Sequence, residues 1–219
     1  MLFVTQGKTN LKFIFPFALI GLFIIIVIFS IQYLFGDNWE NNSEKINVFS
    51  DPGQEQVISG AKIVKTVSGR EFTITPKASY AISARLVSKR DYHSGWESQI
   101  SPFDLALVWG DLADIKNKKL LSYNQSNRWY FYNYSNNLFS SDYIATHSSN
   151  NHIIPANKTV EEAIKNLKTG QLIALNGYLV DVTSGDNWWN TSLTRTDDGD
   201  GSCEIIYVES LKTTKGAYK

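Results

Sequence analysis

From Val57 to Leu211 apolar and polar positions alternate in short runs, the period-two signature of strands with one buried face. The clearest run is Tyr80, Ile82, Ala84 and Leu86, with Ala81, Ser83, Arg85 and Val87 on the opposite face. β-Branched residues between Gly or Pro breaks predict separate strands in VISGAKIVKTVSG, REFTITP and YAISARLVS, and further ones in FDLALVWG and RWYFYNY. The aromatic run Trp129–Tyr132 is too uniformly large for one solvated face, which predicts cover on both sides. QLIALNGYLVDV, WWNTSLTRT and SCEIIYVESL read as three more strands, with DDGDG as a hairpin-type turn between the last two. One helix is signposted by the capping box Thr159-Val160-Glu161-Glu162, by the stripe Val160, Ile164 and Leu167, and by Gly170 as its C-cap. The pattern predicts an α+β domain, mostly β, for which an OB-like barrel with one inserted helix is the suggested closed form.

A different pattern precedes it. Residues 13–35 read FIFPFALIGLFIIIVIFSIQYLF, a run of 23 without a charge. As a helix it reaches roughly 35 Å, enough for a hydrocarbon core of about 30 Å. Pro16 falls in the first turn, where its missing N–H is tolerated, and Tyr33 and Trp39 suit the interfacial aromatic belt. A cleaved signal peptide would have a shorter apolar core and a small-residue cleavage site, which YLFGDNWE lacks. The expected layout is a cytoplasmic tail at 1–12, a transmembrane anchor at 13–35, a tether at 36–56, a β-rich domain at 57–211 and a tail at 212–219. Lys8 and Lys12 precede the span, while Asp37, Glu40 and Glu44 follow it, so the positive-inside rule puts the domain outside the cytoplasmic membrane.

Charge narrows the partners. The chain holds 21 basic and 21 acidic residues; without Lys8 and Lys12 the remainder has 19 against 21, a net of −2. Nucleic-acid binding normally needs a basic excess, so a nucleic-acid partner is disfavoured. Cys203 is the only cysteine, which excludes an intrachain disulfide. The segments DLALVWGDLAD, RWYFY, HSSNNHIIPAN, GYLVDV and WNTSLTRTDDGDGSCEIIYVES together resemble a family of uncharacterised bacterial membrane-anchored proteins, over most of residues 72–210. The resemblance implies the anchor-plus-domain architecture and carries no activity or catalytic residue.

The candidate chemistry is sparse. HSSNNHIIPAN, residues 147–157, brings His147 and His152 close in sequence. Five residues apart they could share zinc, but no third and fourth ligand stand in a recognisable pattern, and the stretch reads rather as a polar loop before Pro155. No metal or cofactor is therefore assigned. Asp198, Asp200 and Ser202 have calcium-loop spacing with Glu209 twelfth, yet Cys203 occupies the sixth position, where glycine is required. Cys203 as a nucleophile would need an electropositive pocket; among acidic neighbours it reads as a small core residue. Acid–base pairs such as His147 with Asp104, or Asp197 with Arg195, are conceivable without spacing to support them. In Trp188-Trp189 strand geometry lets one core bury only one of the two.

The expected working surface comprises His147, Asn150, His152, Trp188 and Arg195. The leading expectation is a single-pass membrane protein with an extracytoplasmic binding or assembly module, its partners the lipid bilayer through residues 13–35 and an envelope protein. Two alternatives stand beside it: a membrane-tethered hydrolase using His147 and His152, and a single-strand nucleic-acid binder on an OB-like module.

Overall fold

The computed structural model describes residues 46–57, 61–117, 119–134, 138–196, 199 and 201–219. The predicted anchor and the tail before it lie outside the described residues. Among those described, no helix is long and apolar enough to cross a membrane.

One strand organises the rest. β3 (Arg70–Asp91) runs for 22 residues, with inward positions alternating along most of its length. On one edge it takes three antiparallel partners in turn: β2 (Ile63–Val67), β1 (Gly53–Gln56) and β4 (Phe103–Val108). Its other edge pairs with β8 (Leu172–Ser184) from Thr73 to Arg85. Pro76 does not divide it into the two strands expected. The register on β8 shifts between Pro76 and Ala78, a bulge that absorbs the missing N–H. β1 belongs to the segment expected as tether, and Val48 there is buried, its carbonyl accepting from the Gly110 N–H.

The pairings close on themselves. β3 pairs with β4, β4 antiparallel with β7 (Ser148–Pro155), β7 parallel with β10 (Glu204–Thr213), β10 antiparallel with β8, and β8 with β3 again. β11 (Gly216–Tyr218) folds back along β10, so the expected C-terminal tail adds a strand. β9 (Asn187–Trp189) hairpins onto the end of β8, and the strand predicted through WWNTSLTRT stops at Trp189.

Helix α3 (Lys158–Lys165) crosses from β7 to β8 and sets Val160 and Ile164 into the main core with Leu105, Leu107, Ile153 and Leu175. Its cap is Asn157, whose side chain accepts from the Val160 N–H, two residues earlier than the predicted Thr159. Asn166 closes the helix, and Gly170 serves the following turn, donating its N–H to Leu86 at a φ of 96°. A second core cluster joins Phe72, Ile74, Val180 and Val182 to Ile154 and Ile205. β7 and the first half of β10 are therefore buried on both faces.

Two short helices, α1 (Trp96–Ile100) and α2 (Ser141–Thr146), lie in the β3–β4 connection and just before β7. Between β4 and α2 a separate hairpin forms from β5 (Leu121–Ser126) and β6 (Trp129–Tyr134). Its two-residue turn, Asn127-Arg128, has φ of 51° and 69°, the type I′ geometry whose twist matches a hairpin. β6 is not covered on both faces. Trp129, Phe131 and Tyr134 are exposed, and Tyr132 turns inward against Tyr123.

Candidate functional site

The stretch read from sequence as a polar loop is strand β7, buried at every position. Its polar side chains are held by a network built around Asp104. Pairing of β4 with β7 sets Asp104 opposite His152 and Ala106 opposite Asn150, on the face away from Leu105 and Leu107. Asp104 is fully buried. Its Oδ1 accepts from Arg128 Nη1 at 2.7 Å and lies 2.9 Å from His152 Nδ1. Asn150 Nδ2 reaches its Oδ2 at 3.4 Å, and Gln125 Nε2 donates to Asn150 Oδ1 at 2.7 Å. Since a carboxylate only accepts, Nδ1 of His152 carries the ring proton and Nε2 is the acceptor of the neutral tautomer.

Arg128 joins the hairpin tip to this face. Its Nη2 donates to the Ser101 carbonyl at 2.9 Å, its backbone N–H donates to the Tyr92 hydroxyl at 2.9 Å, and its guanidinium lies 4.0 Å from the Tyr92 ring centre. A non-glycine residue at a φ of 69° is costly by roughly 1–2 kcal/mol. Those three anchors hold it there.

Beside His152 opens a cleft of about 220 Å³. The β3–β4 connection supplies Glu97, the hairpin supplies Arg128 and Trp129, and the β8–β10 connection supplies Trp189, Asn190 and Cys203. Trp189 packs 4.6 Å from the His152 ring and 6.4 Å from Trp96. Because Trp189 pairs with Val182 and Trp188 with Thr183, the two tryptophans point to opposite faces. Trp189 enters the cleft and Trp188 stays 70 % exposed, as strand geometry predicts for this dipeptide. Cys203 is half-buried in the cleft wall, 3.9 Å from Asn150 Nδ2, and does not join the core.

The remaining sequence candidates lie elsewhere. His147 caps the C-terminus of α2, with Nδ1 3.0 Å from the Tyr143 carbonyl and its ring stacked at 3.9 Å on Tyr143. Its Nε2 lies 3.9 Å from Asp51, so the two histidines engage separate partners. Asn150 is buried and spends its amide on the network. Arg195 ion-pairs with Glu204 and donates to the Tyr80 hydroxyl, its guanidinium 5.2 Å from the Tyr80 ring and 5.3 Å from Trp109. Burial works against that charge, but Tyr80 and Glu204 outweigh it and raise the pKa. Arg195 is thus a fastener with Glu204 as its counter-ion. Of the pairs weighed from sequence, His147–Asp104 gives way to His152–Asp104; Arg195 pairs with Glu204, and Asp197, weighed as its partner, lies outside the described residues with Asp198 and Asp200. Among the described residues no group of three or more His, Cys, Asp or Glu is placed to hold a metal.

Arg128, Gln125 and Glu97 were not singled out from sequence, and Trp129 figured there only in the aromatic run expected to be covered, whereas it is exposed at the cleft. A signal for Arg128 and Trp129 exists: YNQS and WYFY flank Asn127-Arg128 with the two-residue spacing of a tight hairpin. An apolar hollow of about 130 Å³ beside Leu86, Leu112 and Tyr123 offers no comparable convergence, because its one guanidinium, Arg85, is bonded to the Ala113 and Gly170 carbonyls. No protein-family model, curated protein or solved structure matches the chain.

Proposed function

We propose that the chain is a membrane-tethered binding module whose β-rich domain has an OB-like architecture and works outside the cytoplasmic membrane, with the cleft beside His152 as its ligand site. The observation that carries the reading is the strand order. Five strands close in the order β3–β4–β7–β10–β8, with β7 and β10 parallel and a helix between β7 and β8. OB-folds are five-stranded Greek-key barrels that bind ligands on the face of their second and third strands, between the first-to-second and fourth-to-fifth connections. Here those strands are β4 and β7, and the two connections supply Glu97 and Trp189 to the cleft. The tether rests on the 23-residue uncharged run and the two lysines before it.

A photo-crosslinking residue at position 129, in intact membranes, is expected to capture a discrete envelope component, while one at exposed Ile115 captures none. Protease added outside the cytoplasmic membrane is expected to cleave the β-rich domain. An uncaptured position 129, or a domain reachable only after lysis, overturns the reading.

The hydrolase reading retains one supporting observation, the His152–Asp104 hydrogen bond facing a cleft. It loses the pairing with His147 that motivated it. Hydrolysis of generic ester substrates that His152→Gln abolishes without unfolding the protein would revive it.

A further inference from the structure

The cleft's chemistry narrows its ligand, on the assumption that the cleft is the binding site. We infer that it takes one ring of an uncharged glycan, with the neighbouring ring stacked along β6. At about 220 Å³ the cleft is smaller than the roughly 300–1,000 Å³ of drug-sized sites, which suits a single ring-sized unit. Two indoles line it, Trp129 at 38 % exposure and Trp189 backed by His152 and Trp96. A pyranose ring presents a face of C–H groups with slightly positive hydrogens, complementary to the negative π-face of an aromatic ring. Its rim of hydroxyls needs mixed donors and acceptors, which Glu97, Asn190 and His152 Nε2 provide.

Charge decides against a phosphodiester. Arg128 is the one Arg or Lys among the described lining residues, and Asp104 and the Ser101 carbonyl already occupy its guanidinium. A phosphate entering the cleft would meet the Glu97 carboxylate without a free cation to offset it. The surface beyond the cleft continues the same chemistry. On the exposed face of the hairpin Trp129 is opposite Ser126, Phe131 opposite Asn124, and Asn133 opposite Ser122, with no ionisable side chain. Trp129 and Phe131 are two residues apart on one strand, a step of about 7 Å that offers a second stacking platform.

The test uses the full chain in lipid nanodiscs, because maltoside detergents carry sugar headgroups. The probes are neutral tetrasaccharides of hexose and of N-acetylhexosamine, with a single-stranded oligonucleotide for comparison, read by calorimetry. At least one glycan is expected to bind, with an affinity unchanged between about 50 and 500 mM salt because no counterions are released. Trp129→Ala should weaken it at least about tenfold and Glu97→Gln about threefold, while Ile115→Ala leaves it unchanged. A bound glycan should also slow alkylation of Cys203, the single cysteine and part of the cleft wall, a readout independent of heat. An unchanged melting temperature shows that Trp129→Ala still folds. Salt-sensitive oligonucleotide binding, or no glycan binding, overturns the inference. If position 129 still crosslinks to a protein in membranes, the binding-module reading survives that failure; if it crosslinks to nothing, both fall.

Discussion

At the scale of single residues, Asp104 decides more than any other side chain near the cleft. It is fully buried, and its partners Arg128, His152 and Asn150 come from two further elements. Breaking a buried pair by removing one partner strands the other charge, at a cost of about 3–5 kcal/mol, whereas an exposed pair contributes about 0–1 kcal/mol. We therefore predict that Asp104→Asn lowers unfolding free energy by about 3–5 kcal/mol in urea denaturation. Asp181→Asn, which removes the more exposed 3.5 Å contact with Lys77, should change it by less than about 1 kcal/mol. Equal effects would refute the ranking. Arg128→Lys should fail to restore the wild-type value, because one ammonium cannot reproduce a guanidinium divided between Asp104 and the Ser101 carbonyl. The importance of Asp104 was not legible in the sequence. FDLALV shows an aspartate in an apolar strand, but the partners that satisfy it come from 24 and 48 residues away.

At the scale of elements, alternation along a half-buried strand is legible in the sequence, and what depends on neighbouring elements is not. YAISARLVS shows its alternation because one face of β3 packs inward along most of its length. HSSNNHIIP does not, because β7 is covered on both faces and more than half its length is polar, with tertiary hydrogen bonds replacing water. The cap of α3 was displaced by two residues because Asn157 and Thr159 are both good capping types and only the path out of β7 selects between them. One element-scale feature is testable. Gly177 in β8 sits opposite Val208 just before the register shift in β10, and a Cβ there would lie 1.9 Å from the Tyr207 carbonyl oxygen. Backbone cannot rotate away as a side chain can. Gly177→Ala is expected to cost about 3 kcal/mol, and Gly216→Ala, which meets nothing closer than 4.0 Å, much less. Chemical denaturation of the two variants compares them directly.

For the whole molecule, tyrosines couple the fold to alkaline pH. Burial pushes Tyr130 up to about 12, and burial together with the nearby Glu204 carboxylate holds Tyr80 well above its ordinary value against the pull of Arg195. Burial among Tyr130 and Tyr132 does the same to Tyr123. The folded state therefore keeps protons that the unfolded chain releases near pH 10. Their stabilising contribution is complete below about pH 10 and is lost as pH climbs towards 12. Absorbance at 295 nm should show fewer ionised tyrosines at about pH 11 in folded than in urea-unfolded protein, and the melting temperature should fall across that interval. The sequence announced strands and an inserted helix, and strand order was invisible to it because β7 and β10 meet across some fifty residues of intervening chain. That meeting has a consequence for biosynthesis. β10 fills the gap between β7 and β8 yet is the last of the five to leave the ribosome. Until it arrives, a nascent molecule carries two bare hydrogen-bonding edges, each able to recruit a strand from another chain. Slow emergence beyond Ser184 would thus lengthen the interval in which newly made copies can tangle with one another.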